Sequence, residues 1–141
     1  NEDGLVGEQR KDFLKGAEIA YETIITEFAK GNNAKLKDLL SSEMAASFKY
    51  AIAERDRESI KSELTFIGIK NSELEKFEKI KNELFATVKF VSEIISVKKD
   101  KDNKIIDGNP DLIKTVTDHW KFSKNSSSKQ PNWYLAEIIS K

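Results

Sequence analysis

Few side chains in this sequence are equipped for chemistry. It contains no cysteine and one histidine, His119. Without thiols there is no disulfide framework, no thiolate metal ligand and no cysteine nucleophile. A single imidazole with no second histidine or cysteine makes a poor metal site, so neither a metal nor a cofactor is expected. His119 should sit on the strand face opposite Trp120, half exposed, as a surface residue rather than a protonation switch. Asp118 and Tyr21 form the sharper pair. Asp118 lies between Val116 and Trp120 on the inner side of a strand. A carboxyl and a tyrosine hydroxyl converging inside an apolar cone could hold an oxyanion, the chemistry of a small enzyme acting on a hydrophobic carbonyl compound. The structural alternative is a buried carboxylate kept there by the hydrogen bonds it accepts. That alternative carries more weight, and the chain is read as a non-enzyme.

Binding is the other possibility. Phe28, Phe48, Phe66, Phe90, Trp120 and Phe122 could line a pocket for an acyl chain or a peptide, although most such aromatics form core. Phe48, Ile52 and Trp120 are the residues expected to face a ligand cavity. Near the N-terminus, Arg10, Lys11, Phe13, Leu14 and Lys15 combine cations with apolar groups. Such a helix end could face an anionic membrane, each basic residue adding about 1 kcal/mol near the surface. Glu8 and Asp12 dilute that attraction. Val91, Ile95 and Val97 share the outer side of a strand, and an exposed patch there would invite self-association.

These residues need a scaffold. A chain of 141 residues has room for one core. Its charged fraction is 34%, which implies a well-solvated exterior, and its formal net charge is +0. A balanced charge argues against a nucleic-acid partner, which a basic surplus would favour. No apolar run approaches the ~20 residues that span a bilayer. The sequence opens on Asn1 rather than Met, so any targeting or anchoring segment upstream is invisible in it. Residues 1–7 read as a flexible arm and 8–141 as one domain.

Apolar residues at three- and four-residue spacing predict a helix over 8–30, with Phe13, Ala17, Ala20, Tyr21, Ile24 and Phe28 on one face. Gly31 suits the left-handed residue that closes it. Asn32 can cap a short second helix, and Ser41 a third that carries Met44, Phe48 and Ile52. After residue 59 the period drops to two. One long strand should bend at Gly68 or Asn71, and the next, over 82–99, should bulge at Ser92-Glu93. Asp107-Gly108-Asn109-Pro110 reads as a turn. Strands over 112–123 and 133–139 follow, joined by the polar loop at Asn125-Ser126-Ser127-Ser128. Helices first and antiparallel strands after make an α+β fold. The expected architecture is N-terminal helices packed on a curved antiparallel sheet of about four strands, with an apolar cleft.

Two stretches resemble the Tim44-like domain, the domain of the peripheral inner-membrane subunit of the mitochondrial presequence translocase and its bacterial relatives. The first comprises Phe13-Leu14-Lys15-Gly16-Ala17, Ala20-Tyr21-Glu22, Phe28-Ala29-Lys30-Gly31-Asn32 and Leu39-Leu40-Ser41-Ser42-Glu43. The second comprises Val116-Thr117-Asp118-His119-Trp120-Lys121-Phe122 and Pro131-Asn132-Trp133-Tyr134-Leu135, with Phe90-Val91-Ser92-Glu93 between. His119 departs from a usual aliphatic residue, and Ser42 from a common proline. The resemblance implies a cystatin-like or nuclear-transport-factor-two-like cone with a large apolar pocket. It also implies peripheral or anchored attachment to a bacterial or mitochondrial inner membrane, a cardiolipin-like anionic lipid partner, and translocase or chaperone protein partners.

Overall fold

A computed structural model describes residues 7–126 and 132–140. The elements are α1 (Gly7–Lys30), α2 (Asn33–Leu36), α3 (Ser42–Arg57), β1 (Lys61–Ile80), β2 (Glu83–Lys99), β3 (Ile105–Gly108), β4 (Lys114–Asn125) and β5 (Tyr134–Ile139). The expected residues terminate the helices. Gly31 has φ +77°, which only glycine adopts cheaply, and it ends α1. The Asn32 side chain accepts from the Lys35 N–H and donates to Glu27 Oε1 at 3.1 Å. That bond, with Lys30 Nζ 3.7 Å from the other carboxylate oxygen, partners a buried acid that would otherwise be costly. Ser41 Oγ accepts from the Met44 N–H at 3.2 Å and caps α3, a contact worth about 1 kcal/mol. Between these helices the chain is pinned to β5: Ser41 N–H donates to the Leu135 carbonyl and Leu135 N–H to the Leu39 carbonyl, both at 2.9 Å.

The sheet is antiparallel, in the order β1-β2-β4-β5, with β3 attached to β2 beyond the end of β4. It therefore has five strands where about four are expected. The extra one is β3, which includes part of the sequence read as a turn. Gly108 makes this strand possible. Its φ is +85°, and a Cβ there would fall 2.0 Å from the Ser96 carbonyl oxygen.

The bend at Gly68 and Asn71 is present as register shifts between Phe66 and Gly68 and between Ile69 and Asn71, with a third between Leu74 and Lys76. The bulge expected at Ser92-Glu93 is not in β2. Ser92 and Glu93 face Ile69 and Gly68, so the extra residues belong to β1, while β2 pairs with β4 without a break from Glu83 to Ile94. The reason is position. A bulge in a central strand disrupts two ladders, whereas one in an edge strand disrupts a single ladder.

Curvature from these bulges wraps the sheet around α1. Ala17, Tyr21 and Ile24 of the helix meet Val88, Phe90, Trp120, Phe122 and Leu135 of the sheet, with Leu36, Leu40 and Ile52 closing the core. The outer patch expected from Val91, Ile95 and Val97 is not open. Val97 is 5% exposed, flanked by Glu63 of β1 and Gly108 of β3, and the other two are half-buried. A cluster of exposed aliphatics lies instead on and after β3, Ile105, Ile106, Leu112 and Ile113, and others stand singly, at Ile19, Ile67, Ile80 and Ile138. Among the described residues no helix is long and apolar enough to cross a membrane.

Candidate functional site

The N-terminal half of α1 crosses the end of the sheet where β1 turns into β2. At this point the helix presents small residues, Gly16, Ala17 and Ala20, while the opposing surfaces present large ones. Phe77 and Leu84 come from the β1–β2 hairpin, Phe122 from β4, Trp133 from just before β5, and Leu39 from the α2–α3 link. The mismatch in side-chain size leaves an open groove of ≈ 820 Å³. Phe13 forms its aromatic corner, packing edge-on against Trp133 at 4.9 Å between ring centroids and against Phe122 at 6.4 Å. Ile19 stands on the rim, 65% exposed. The ionisable groups at the groove are Asp12, Asp38 and Lys124, with no histidine among them. Apolar walls with a sparse polar rim suit an acyl chain or apolar side chains.

A second feature lies one to two turns further along α1. Tyr21, fully buried, donates its hydroxyl proton to Asp118 Oδ2 at 2.6 Å and lies 2.9 Å from Ser92 Oγ. Its ring stacks on Phe90 at 4.3 Å and 19° and leans on Trp120 at 4.7 Å. Burial first, and then the bond to Asp118, hold the phenol far above its ordinary pKa of 10.0; the Ser92 bond opposes them. The hydroxyl therefore stays protonated and serves as a donor. Asp118 and Tyr21 do come together, as the oxyanion reading requires, but they are satisfied by each other. Neither lines the groove.

The remaining expected residues are placed as follows. Phe48 packs on Phe28 at 4.9 Å, and Ile52 and Trp120 are buried in the core. None of the three lines the groove. Lys11 and Lys15 are exposed, Arg10 is half-buried, and Phe13 and Leu14 turn inward against the core. The apolar half of the supposed membrane-facing segment is thus used by the fold, because residues 13, 17, 21 and 24 share the helix face that meets the sheet. His119 lies on the outer face, as expected, with Nδ1 2.8 Å from Glu75 Oε1. Glu75 is the extra residue of the Leu74–Lys76 bulge, and it reaches across β2 to β4. Nothing in the spacing of Leu39, Phe77, Leu84 or Trp133 alone marks them as pocket residues. The signal that points to them is the Gly16-Ala17-Ala20 run of small residues on a helix face otherwise made of large ones.

Helices on one side of a curved antiparallel sheet, open at one end over a groove, define the α+β cone fold shared by Tim44-like and nuclear-transport-factor-two-like domains. The model of the Tim44-like domain matches residues 9–140, and the chain belongs to that family. The family is translocase-related and membrane-associated, and its members are generally non-catalytic adaptor domains. No curated protein matches the chain. Among solved structures, the intermembrane space region of the chloroplast protein ARC6 is similar over 91% of this chain and 97% of its own, at 12% identity and a TM-score of 0.57. That likeness concerns the fold alone. A de novo β-sheet design, 13% identical over 92% of this chain and 87% of its own with a TM-score of 0.35, is too slight a likeness to bear on it.

Proposed function

We propose that this domain is a non-catalytic tether at a bacterial or mitochondrial inner membrane, where it takes an acyl chain of an anionic, cardiolipin-like lipid into the groove beside α1 and holds translocase or chaperone proteins at the membrane surface. The groove is the observation that carries this reading: ≈ 820 Å³ walled by Phe13, Phe77, Leu84, Phe122 and Trp133. Exposed Lys11 and Lys15, on the same helix as the groove's small residues, are available to anionic headgroups. The acid–hydroxyl set that an enzyme would need is turned inward and closed on itself.

Flotation with vesicles containing cardiolipin, at low and high salt, tests the proposal. Co-flotation that weakens but persists at high salt is expected, since the apolar contribution is not screened whereas the lysine contribution is. Absence of co-flotation at both salt concentrations would overturn it. The carbonyl-chemistry reading has one observation in its favour, the 2.6 Å approach of Tyr21 to Asp118. It requires a turnover that Asp118→Asn abolishes in protein that is still folded.

A further inference from the structure

The alternation of β1 is reset shortly before its hairpin. Leu74 pairs with Val88 and Phe77 with Ala86, both on the inner side of the sheet, although three positions separate them. In a regular strand residues three apart face opposite sides. Glu75 is the inserted residue, and Glu75 and Lys76 both face outward. Phe77 owes to that insertion its place in the groove wall, with its ring centroid 6.3 Å from that of Trp133. Without it the arm would pair Lys76 with Ala86 and Phe77 with Phe85. Lys76 and Glu78 would then face the groove, and Phe77 the outer side. Turn chemistry does not choose between the two registers. The bulged one closes on Lys81-Asn82, where Lys81 takes φ +57°, an unfavourable conformation for a lysine. The unbulged one would close on Ile80-Lys81-Asn82, and three-residue hairpin loops are also common. Among the described residues β1 is paired on one side only, so no second ladder fixes the arm.

We propose that His119 and Glu75 form a clasp that holds the bulged register and so keeps Phe77 in the groove wall. The carboxylate accepts, and the imidazole donates through Nδ1 at 2.8 Å. The two side chains are 14% and 24% exposed, so the bond is partly shielded from water, and bonds to a charged group are stronger than neutral ones. Its anchor is firm. His119 pairs with Lys89 of β2 on one side and with Ile139 of β5 on the other. In the unbulged register Glu75 would stand opposite Thr87, in line with Lys121, and would draw away from His119. The clasp thus favours one register over the other. It lies on the outer face, whereas the wall it sets lies on the inner one, so His119 is a positioning residue that never touches the groove. On the proposed reading of the groove, on which this consequence rests, the register decides whether an acyl chain meets a phenyl ring or a lysine and a glutamate.

The test is nuclear magnetic resonance and amide hydrogen exchange on the folded variants H119V, E75A and H119Q, with flotation on cardiolipin-containing vesicles at high salt in parallel. In H119V and in E75A the amides of residues 76–84 should exchange at least roughly fivefold faster, with rates in α1 and at Trp120 and Phe122 unchanged. A cross-strand contact between Phe77 and Phe85 should appear beside that of Phe77 with Ala86. The double variant should go no further than either single one. H119Q keeps a donor for Glu75 and should restore wild-type exchange and pairing. Vesicle affinity should fall in H119V and E75A and return in H119Q. Wild-type exchange at 76–84 in both single variants would overturn the proposal. So would faster exchange spread evenly over the sheet, absence of the Phe77–Phe85 contact, or failure of H119Q to restore the pairing. If the wild-type domain does not float, the lipid reading fails, while exchange and pairing still decide the clasp.

Discussion

Helix α1 builds two unlike regions within two turns of each other. Around Tyr21 it supplies a large ring that fills the space against Phe90 and Trp120, and its one polar atom is partnered by Asp118 and Ser92. Around Gly16, Ala17 and Ala20 it supplies almost nothing, and the sheet beneath is left facing a groove. In the first region each polar group, buried or half-buried, has a partner, which specifies one arrangement and leaves no room for a guest. The second is apolar and under-filled, a surface that can adapt to what it holds. On the proposed reading of the groove, stability and binding are separated along one helix, and substitutions at the two places should fail in different ways.

The largest effect is expected at the sealed region. Tyr21→Ala removes a fully buried ring and should lower stability by about 3–5 kcal/mol, read from denaturant unfolding. Tyr21→Phe keeps the ring but leaves Asp118 and Ser92 without the hydroxyl, and should cost about 1–3 kcal/mol. A loss below roughly 0.5 kcal/mol for the phenylalanine variant would mean that the polar network does not lock the fold.

Alkaline pH sharpens the same point. The phenol of Tyr21 is held above its ordinary pKa of 10.0, by burial first and by Asp118 second. A group raised in the folded state contributes stability that is complete below the unfolded pKa and lost as pH climbs above it. Wild-type stability should therefore fall by an extra ~1.4 kcal/mol per pH unit above about pH 10, relative to Tyr21→Phe. Below that pH the difference between the two proteins should stay constant. Parallel pH curves above pH 10 would show that Tyr21 ionises as easily in the fold as outside it.

Most of the scaffold was legible in the sequence because local signals set it. Gly31, Asn32 and Ser41 mark the helix ends by their own backbone and side-chain chemistry, and Val116, Asp118, Trp120 and Phe122 mark the inner side of β4 by alternation. The location of the bulge was only half legible. The blur at Ser92-Glu93 marks the correct level of the sheet, but which of two paired strands takes the extra residue depends on which lies at the edge, a property of the assembled sheet. The pocket was least legible. Phe48, Ile52 and Trp120 are apolar residues at the right spacing, and the same description fits core and cavity alike. What makes a cavity is an absence of side-chain volume opposite a large residue, as at Gly16 opposite Leu84 and Phe77, and that is a relation between segments more than sixty residues apart.

The smallest effect on stability, and the most informative about function, belongs to the rim. Ile19 is 65% exposed and borders the groove. Ile19→Ser should change unfolding free energy by no more than about 0.5 kcal/mol, since little apolar area leaves the core. If an acyl chain occupies the groove, however, the isoleucine becomes covered on binding, and its removal forfeits contact worth on the order of 1–2 kcal/mol, or roughly tenfold in vesicle affinity at high salt. The serine adds no charge, so attraction between Lys11, Lys15 and the lipid surface is unaltered at low salt. A variant that melts like wild type and floats like wild type at high salt would place the lipid contact elsewhere on the domain. One that melts like wild type but no longer floats would tie binding to the groove and separate it from the lock at Tyr21.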